Sequence, residues 1–143
     1  MSSEAIQAKI ARILEYVATL DGLKENCVQR MKGDKVYRGS VLYYLYMVAD
    51  SCVALAEMII KLRDLRPPQS YSEAIDILGE NEIIPQEFAY EFARIAGFRN
   101  FLAHDYEKVV YEDICETMLN KLDEVRQYIA FVKLTIAGKD SDH

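Results

Sequence analysis

Four side chains in one short segment of this 143-residue sequence are the best suited to chemistry: Arg99, Asn100, His104 and Tyr106. A histidine titrates at about pH 6.5, so its imidazole can give or take a proton at neutral pH. An arginine presents a planar fork of N–H donors that matches the oxygens of a phosphate group. The only other histidine is His143, in a polar tail, so histidine chemistry in the folded domain depends on His104.

The spacing of these residues restricts how they can meet. On an α-helix, His104 lies one turn beyond Asn100 and about 40° around the axis, so the two share a face. Arg99 and His104 are separated by a rise of about 7.5 Å and an angle of about 140°. They can converge on a phosphate-sized group only if the helix is ending, which the polar run over residues 105–108 favours.

A plainer interpretation is also open. Arg99 occupies a position that the apolar pattern reserves for the core, and an unpaired buried charge is costly. Asp50 or Glu57, seven positions apart on one helix face, could supply a carboxylate. His104 could then be an ordinary hydrogen-bonded core histidine. Nearby tyrosines could stack on bases, although such residues are commoner in cores and interfaces: Tyr43, Tyr44 and Tyr46.

The elements that must position these side chains are predicted to be helices, because apolar residues recur at alternating steps of four and three. The first stripe has an expected break near Gly22 and a loop over Gly33–Asp34. The second belongs to a long helix that ends before Pro67, since proline cannot continue a helix. The three long stripes are Ile6, Ile10, Ile13, Val17 and Leu20; Val41, Leu45, Val48, Cys52, Leu55, Ile59 and Leu62; and Ile114, Met118, Leu122, Val125, Ile129, Val132 and Ile136.

Two shorter signals complete the pattern. Ser70 and Glu73 form a capping box for a short helix that should end at Gly79. Pro85 suits the first turn of one helix that continues to Tyr106 and carries the motif. Strand-like alternation is absent, so we predict an all-α, antiparallel four-to-five-helix bundle, with a single domain over residues 1–137 and a flexible tail over 138–143.

Composition narrows the function classes. The net charge of −6 argues against a protein that coats nucleic acid or anionic membranes, although a narrow basic site is still allowed. Three widely spaced cysteines support neither a disulfide scaffold nor a zinc knuckle, which fits a reducing cytoplasm. The longest uncharged stretch is too short for a membrane span of about 20 residues.

The motif resembles a known family signature. Gly97-Phe98-Arg99-Asn100-Phe101-Leu102-Ala103-His104-Asp105-Tyr106 is similar to the Arg-x4-His-x-Tyr sequence of the HepT-like branch of HEPN domains. Upstream, Ser70-Tyr71-Ser72-Glu73-Ala74, Leu78 and Ile83-Ile84-Pro85 resemble the segment before that motif. The likeness extends over nearly the whole domain.

The resemblance implies a function. It suggests a homodimeric, metal-independent endoribonuclease toxin of a type VII toxin–antitoxin pair, without a cofactor. Its antitoxin would be a minimal nucleotidyltransferase that adenylylates the motif tyrosine. Arg99 and His104 carry over as the catalytic pair, Asn100 and Asp50 as supporting residues, and Tyr106 as the residue that receives AMP. One departure is that Ala54 stands where the family commonly has a second acid on the preceding helix.

Metal-free RNA cleavage needs a base for the 2′-hydroxyl and an acid for the leaving 5′-oxygen. Each chain has one usable histidine, so the second proton carrier is most simply the His104 of a second subunit. The motif offers one imidazole and Asp105, too few ligands for a dinuclear metal site. Two alternatives remain open: a catalytically silent HEPN adaptor that binds a nucleotidyltransferase or nucleotide, and a purely structural helical protein.

Overall fold

The computed structural model describes residues 3–141, and all regular structure in that range is helical. The elements in chain order are α1 (Ser3–Asp21), α2 (Cys27–Gly33), α3 (Lys35–Leu62), α4 (Tyr71–Glu80), α5 (Gln86–Phe92), α6 (Arg94–Asp105), a 3₁₀ turn (Tyr106–Lys108), α7 (Tyr111–Asp113) and α8 (Leu122–Ser141). A π segment (Ile114–Met118) and a 3₁₀ turn (Leu119–Lys121) connect α7 to α8. The predicted all-α bundle is confirmed.

The helix starts follow local capping chemistry. A single residue, Asp34, separates α2 from α3, and its side chain accepts hydrogen bonds from the backbone N–H groups of Val36 and Tyr37. Ser70 Oγ accepts from the Glu73 N–H at 3.1 Å, as the capping box predicts. The Glu73 carboxylate binds the Gln69 N–H rather than that of Ser70, so the box is not reciprocal.

The segment opened by Pro85 differs from the prediction of one helix. Pro85 is the N-cap of α5 rather than a first-turn residue, and a break at Ala93 separates α5 from α6. Because the break lies before Arg99, all of the motif up to Asp105 still lies on one helix, α6.

The last helix is less regular than its apolar stripe suggested, because the π segment interrupts its first turns. It also continues to Ser141, beyond the predicted domain boundary at residue 137. The flexibility of the tail stays a prediction, and residues 142–143 lie outside the described residues.

A disulfide joins Cys27 at the start of α2 to Cys115 in the π segment. This corrects the expectation, drawn from cysteine number and spacing, that the chain has no disulfide. The two cysteines are 88 positions apart, so their meeting depends on α2 packing beside α7 rather than on any local motif. The third cysteine, Cys52, is free and buried.

The core lies between α3 and the helices that surround it. Residues on all three predicted long stripes are buried in one cluster. Tyr128 is fully buried, and its hydroxyl donates to the Cys52 carbonyl at 2.8 Å. Within residues 3–141, no helix is long and apolar enough to cross a membrane.

Candidate functional site

Arg99 lies at the centre of the site, where α6 packs on α3. Its Nε donates to Asp50 Oδ1 at 3.0 Å, its Nη2 to the Tyr46 hydroxyl at 3.1 Å and its Nη1 to Asn100 Oδ1 at 3.2 Å. The Cζ atom also lies 4.9 Å from the ring centroid of Tyr71 and 5.3 Å from that of Tyr46. The guanidinium is therefore fixed in position before any ligand binds.

The environment keeps Arg99 charged. Burial alone would lower the pKa of the Arg99 guanidinium, but the hydrogen bond to Asp50 and the Asp50 charge raise that pKa above its ordinary value. Only 17% of the side-chain surface is exposed. An arginine has five N–H donors, and the contacts within residues 3–141 use three of them. Two N–H groups of the guanidinium take no part in these contacts.

His104 lies on the last turn of α6 and is exposed. This contradicts the plainer interpretation of a buried core histidine. For Arg99 the plainer interpretation, an arginine paired with a carboxylate of the long helix, is correct. The carboxylate is that of Asp50 rather than Glu57. Because α6 stays helical to Asp105, the Arg99 and His104 side chains leave it in different directions. The structure does not join them by a direct hydrogen bond.

Asn100 lies between Arg99 and His104 on the surface of α6. Its side-chain oxygen accepts from Arg99, and it lies one turn before His104 on the same face of α6. Arg99, Asn100 and His104 thus form a continuous polar surface on one helix, with Asp50 behind it. The guanidinium and the imidazole of one chain therefore reach a ligand from different directions, with Asn100 between them.

Tyr106 begins the 3₁₀ turn that follows α6, and 53% of it is exposed. The expectation that the helix ends near this residue is confirmed. Lys108 pairs with Asp105 at 3.5 Å, but it is highly exposed, so this ion pair contributes little. Tyr106 is therefore accessible from solvent.

Sequence reasoning missed two members of the site. The sequence suggests only a stacking, core or interface role for Tyr46, although Tyr46 lies one helical turn before Asp50, a spacing that indicates a shared face. Tyr71 reaches Arg99 from the first turn of α4, and no sequence signal indicated that contact. Ala54 lies one turn after Asp50 and supplies no second acid. Within residues 3–141, no three His, Cys, Asp or Glu side chains converge to hold a metal ion.

The chain is similar to known proteins over most of its length. The chain is 24% identical over 131 residues to the mRNA nuclease HepT of Shewanella oneidensis, an alignment that covers 85% of this chain and 96% of the relative. A solved structure of a tri-AMPylated HEPN toxin from that organism, in complex with MNT antitoxin, superposes with a TM-score of 0.81 at 24% identity. That superposition covers 94% of this chain and 99% of the toxin.

Two further structures are similar. A mutant of the toxin–antitoxin MntA-HpeT gives a TM-score of 0.79 at 26% identity and covers 92% of this chain and 99% of its own. YutE of Bacillus subtilis, described as a cytosolic protein of unknown function, gives a TM-score of 0.83 at 11% identity. That superposition covers 97% of this chain and 93% of YutE. The sequence model of the ribonuclease HepT-like family matches residues 6–132 and therefore includes the whole motif. This chain belongs to the HepT-like ribonuclease family.

Proposed function

We propose that this protein is a metal-independent endoribonuclease toxin that uses Arg99 and His104 to cleave RNA. The observation that carries the proposal is the fixed guanidinium of Arg99, which has donors to spare beside an exposed histidine on the same helix. Membership of the ribonuclease family supports it. The mRNA nuclease HepT is a relative over most of the chain.

The proposed reaction moves two protons. A neutral His104 accepts the proton of the 2′-hydroxyl, and the 2′-oxygen attacks the adjacent phosphorus. The bond from phosphorus to the 5′-oxygen breaks, and an imidazolium donates a proton to that oxygen. Each proton transfer is worth about 10²- to 10⁴-fold in rate. Arg99 stabilises the charge that develops on the phosphoryl oxygens, because its donors are already oriented.

A homodimer completes this scheme. Each chain offers one histidine within the motif, so the partner subunit's His104 is the simplest source of the second imidazole. His104 is exposed and not enclosed in the core of its own chain, which a shared cleft requires. We therefore propose a two-fold dimer with the two motif surfaces facing each other.

A catalytically silent adaptor is the second candidate. The observation in its favour is the Arg99–Asp50 ion pair at 3.0 Å, which neutralises part of the charge that RNA phosphate needs. In such a protein Arg99 and His104 would bind nucleotide phosphate without cleaving RNA. An RNA-cleavage assay separates the two candidates.

The cleavage assay uses purified full-length chain and labelled RNA. We expect His104→Ala and Arg99→Ala to lose at least about 100-fold in cleavage rate, because each removes a group that acts only in the transition state. The matched controls are His143→Ala, which removes the other histidine, and Arg94→Ala, which removes an exposed arginine of α6. Both should cleave at the wild-type rate, and EDTA should leave cleavage unchanged. Undiminished cleavage by the Arg99→Ala/His104→Ala double variant would mean that another site or a contaminant is responsible.

We further propose that a minimal nucleotidyltransferase silences the nuclease by attaching AMP to Tyr106. The phenol oxygen attacks the α-phosphorus of ATP, pyrophosphate leaves, and the phenol proton is released. The new phosphodiester carries a negative charge close to Arg99 and competes with RNA phosphate for its donors. The HEPN toxin and MntA-HpeT structures support this partner class, since those proteins are in complexes with such antitoxins.

Mass spectrometry after incubation with a minimal nucleotidyltransferase of the antitoxin class and ATP tests the modification. Tyr106 should carry AMP, and the modified chain should lose RNA cleavage. Tyr106→Phe should keep nuclease activity but resist silencing, whereas Tyr90→Phe, which alters another exposed tyrosine, should be silenced normally. Full activity of a chain modified stoichiometrically at Tyr106 would reject the mechanism. We assign both reactions to the cytoplasm, because RNA and ATP are both available there.

A further inference from the structure

A surface cleft of about 590 Å³ opens beside the motif, between the first half of α3 and the segment that follows α6. We call it the Tyr106 cleft and define it by Lys35, Arg38, Tyr43, Tyr46, Tyr106 and Tyr111. Its volume lies in the range of small-molecule sites. The reactions proposed above use only two of its residues, Tyr46 as a partner of Arg99 and Tyr106 as the AMP acceptor, so the rest of the cleft needs its own explanation.

One side chain connects the cleft to the proposed catalytic site. Tyr46 lines the cleft, and its hydroxyl accepts a hydrogen bond from Arg99 Nη2 at 3.1 Å. At the other end of the motif, Tyr106 lines the cleft two residues after His104. An RNA phosphate at Arg99 therefore has the cleft immediately beside it.

The walls of the cleft suit a nucleobase. Tyr43 is 54% exposed and Tyr106 is 53% exposed, so both rings are available for stacking. Leu42 and Leu102 supply an apolar floor. Aromatic rings above an apolar floor bind bases without regard to sequence, because every base has a π face.

The mouth of the cleft suits a phosphate. Lys35 is exposed and forms no ion pair within residues 3–141. Arg38 is held by a hydrogen bond of 2.9 Å to the Met31 carbonyl and lies 5.4 Å from the Tyr111 ring centroid, with no carboxylate partner in the described chain. Glu107 is the one acid among the lining residues. Two cations without acidic partners thus face the cleft of a protein whose net charge is −6.

Gly39 keeps the space open. It lies on α3 among the lining residues, and a Cβ atom built on it meets nothing within 4 Å. A large side chain here would enter the cleft without displacing the core. Gly39 therefore offers a way to fill the cleft selectively.

We propose that the Tyr106 cleft is a nucleotide subsite in which the base lies against the tyrosines and the phosphate contacts Lys35 and Arg38. The proposal rests on the function proposed above and adds a binding site to it. The nucleotide has two possible sources: the residue of RNA next to the cleaved bond, or the AMP carried by Tyr106.

The first experiment measures binding of free AMP to the full chain carrying His104→Ala, by isothermal titration calorimetry. Lys35→Ala in this background should weaken AMP binding at least about tenfold, because it removes a phosphate contact, and Gly39→Leu should abolish binding. Lys61→Ala and Gly33→Leu are matched controls, since neither residue lines the cleft and a Cβ on Gly33 also meets nothing within 4 Å. Both controls should bind like the parent. Absence of AMP binding, or equal binding by all four variants, would overturn the proposal.

The second experiment separates the sources. If RNA supplies the nucleotide, Gly39→Leu in the active chain should raise the KM for RNA about tenfold with little change in kcat. If the AMP on Tyr106 supplies it, phosphodiesterase should release that AMP about tenfold faster from Gly39→Leu than from Gly33→Leu. No change in either measurement would overturn the proposal even if free AMP binds. Failure of the wild-type chain to cleave RNA counts against the proposed function alone, because AMP binding is measured without cleavage.

Discussion

Arg99 has a carboxylate on one side and two tyrosine rings on the others, and these surroundings suit a planar guanidinium. Its three nitrogen atoms each meet a different partner: Asp50, Tyr46 and Asn100. A planar, delocalised cation can make such contacts and still present N–H groups outward. The contacts of Arg99 therefore depend on the shape of the guanidinium as well as on its charge.

At the residue scale, we predict that Arg99→Lys keeps the positive charge but loses the function. An ammonium group cannot contact Asp50, Tyr46 and Asn100 together and also bind a phosphate with two parallel donors. We expect the kcat for RNA cleavage to fall about 100-fold, in line with the loss of one preorganised donor. Steady-state kinetics on matched Arg99→Lys and Arg94→Lys variants provide the measurement. Wild-type kcat in Arg99→Lys would show that charge alone is sufficient.

At the element scale, the site depends on how α6 is held against α3 and α4. The α5–α6 segment packs on α4, and Gly79 of α4 allows the closest approach. A Cβ on Gly79 would lie 2.6 Å from the Cβ of Ala89, which is far inside the normal contact distance. Gly79 is thus required for packing rather than for its conformational freedom.

We predict that Gly79→Ala lowers the free energy of unfolding by about 1–3 kcal/mol, the usual cost of overpacking. Gly97→Ala is the matched control, because its Cβ meets nothing within 4 Å and it lies on α6. That change should raise stability by about 0.4–1 kcal/mol, since alanine restricts the unfolded chain. Urea unfolding followed by circular dichroism measures both. Equal stabilities of the two variants would contradict the packing argument.

At the scale of the whole molecule, the Cys27–Cys115 disulfide closes a loop across most of the chain. It joins α2 to the π segment, and Lys32 of α2 also pairs with Glu112 of α7 at 3.0 Å. Tyr111, which lines the Tyr106 cleft, lies four residues before Cys115. The disulfide therefore restrains one wall of the cleft.

We predict that dithiothreitol lowers the free energy of unfolding of the oxidised chain by about 4–5 kcal/mol, the chain-entropy value for a loop of this length. Urea unfolding with and without the reductant measures the difference. The Cys27→Ala variant should have the same free energy of unfolding with and without dithiothreitol, because it cannot form this disulfide. The buried Cys52 has a raised pKa caused by burial, so it should not exchange into a new disulfide while the chain is folded. An oxidised wild-type chain that is equally stable in both conditions would contradict the prediction.

A second prediction at this scale concerns the dimer. If both proton transfers need one His104 from each subunit, a mixed dimer with a single His104→Ala subunit is inactive. Refolding wild-type and His104→Ala chains together in equal amounts should leave about one quarter of the wild-type activity, from random pairing. Independent sites would leave about one half. Activity assays on such mixtures, with His143→Ala as the mixing control, distinguish the two outcomes.

The sequence by itself determined the helical class, the three long apolar stripes and the motif, because apolar periodicity, proline and capping residues act locally. It also indicated that the motif helix ends at Tyr106, since a polar run cannot continue a buried stripe. It did not indicate the break at Ala93 or the π segment before α8. Only the tertiary structure decided that Asp50 rather than Glu57 pairs with Arg99, that Tyr71 lies over the guanidinium and that Cys27 meets Cys115. Those contacts depend on how helices that are far apart in the chain pack together. The packing is set by the energies of many tertiary contacts, and the spacing of residues along the sequence does not reveal it.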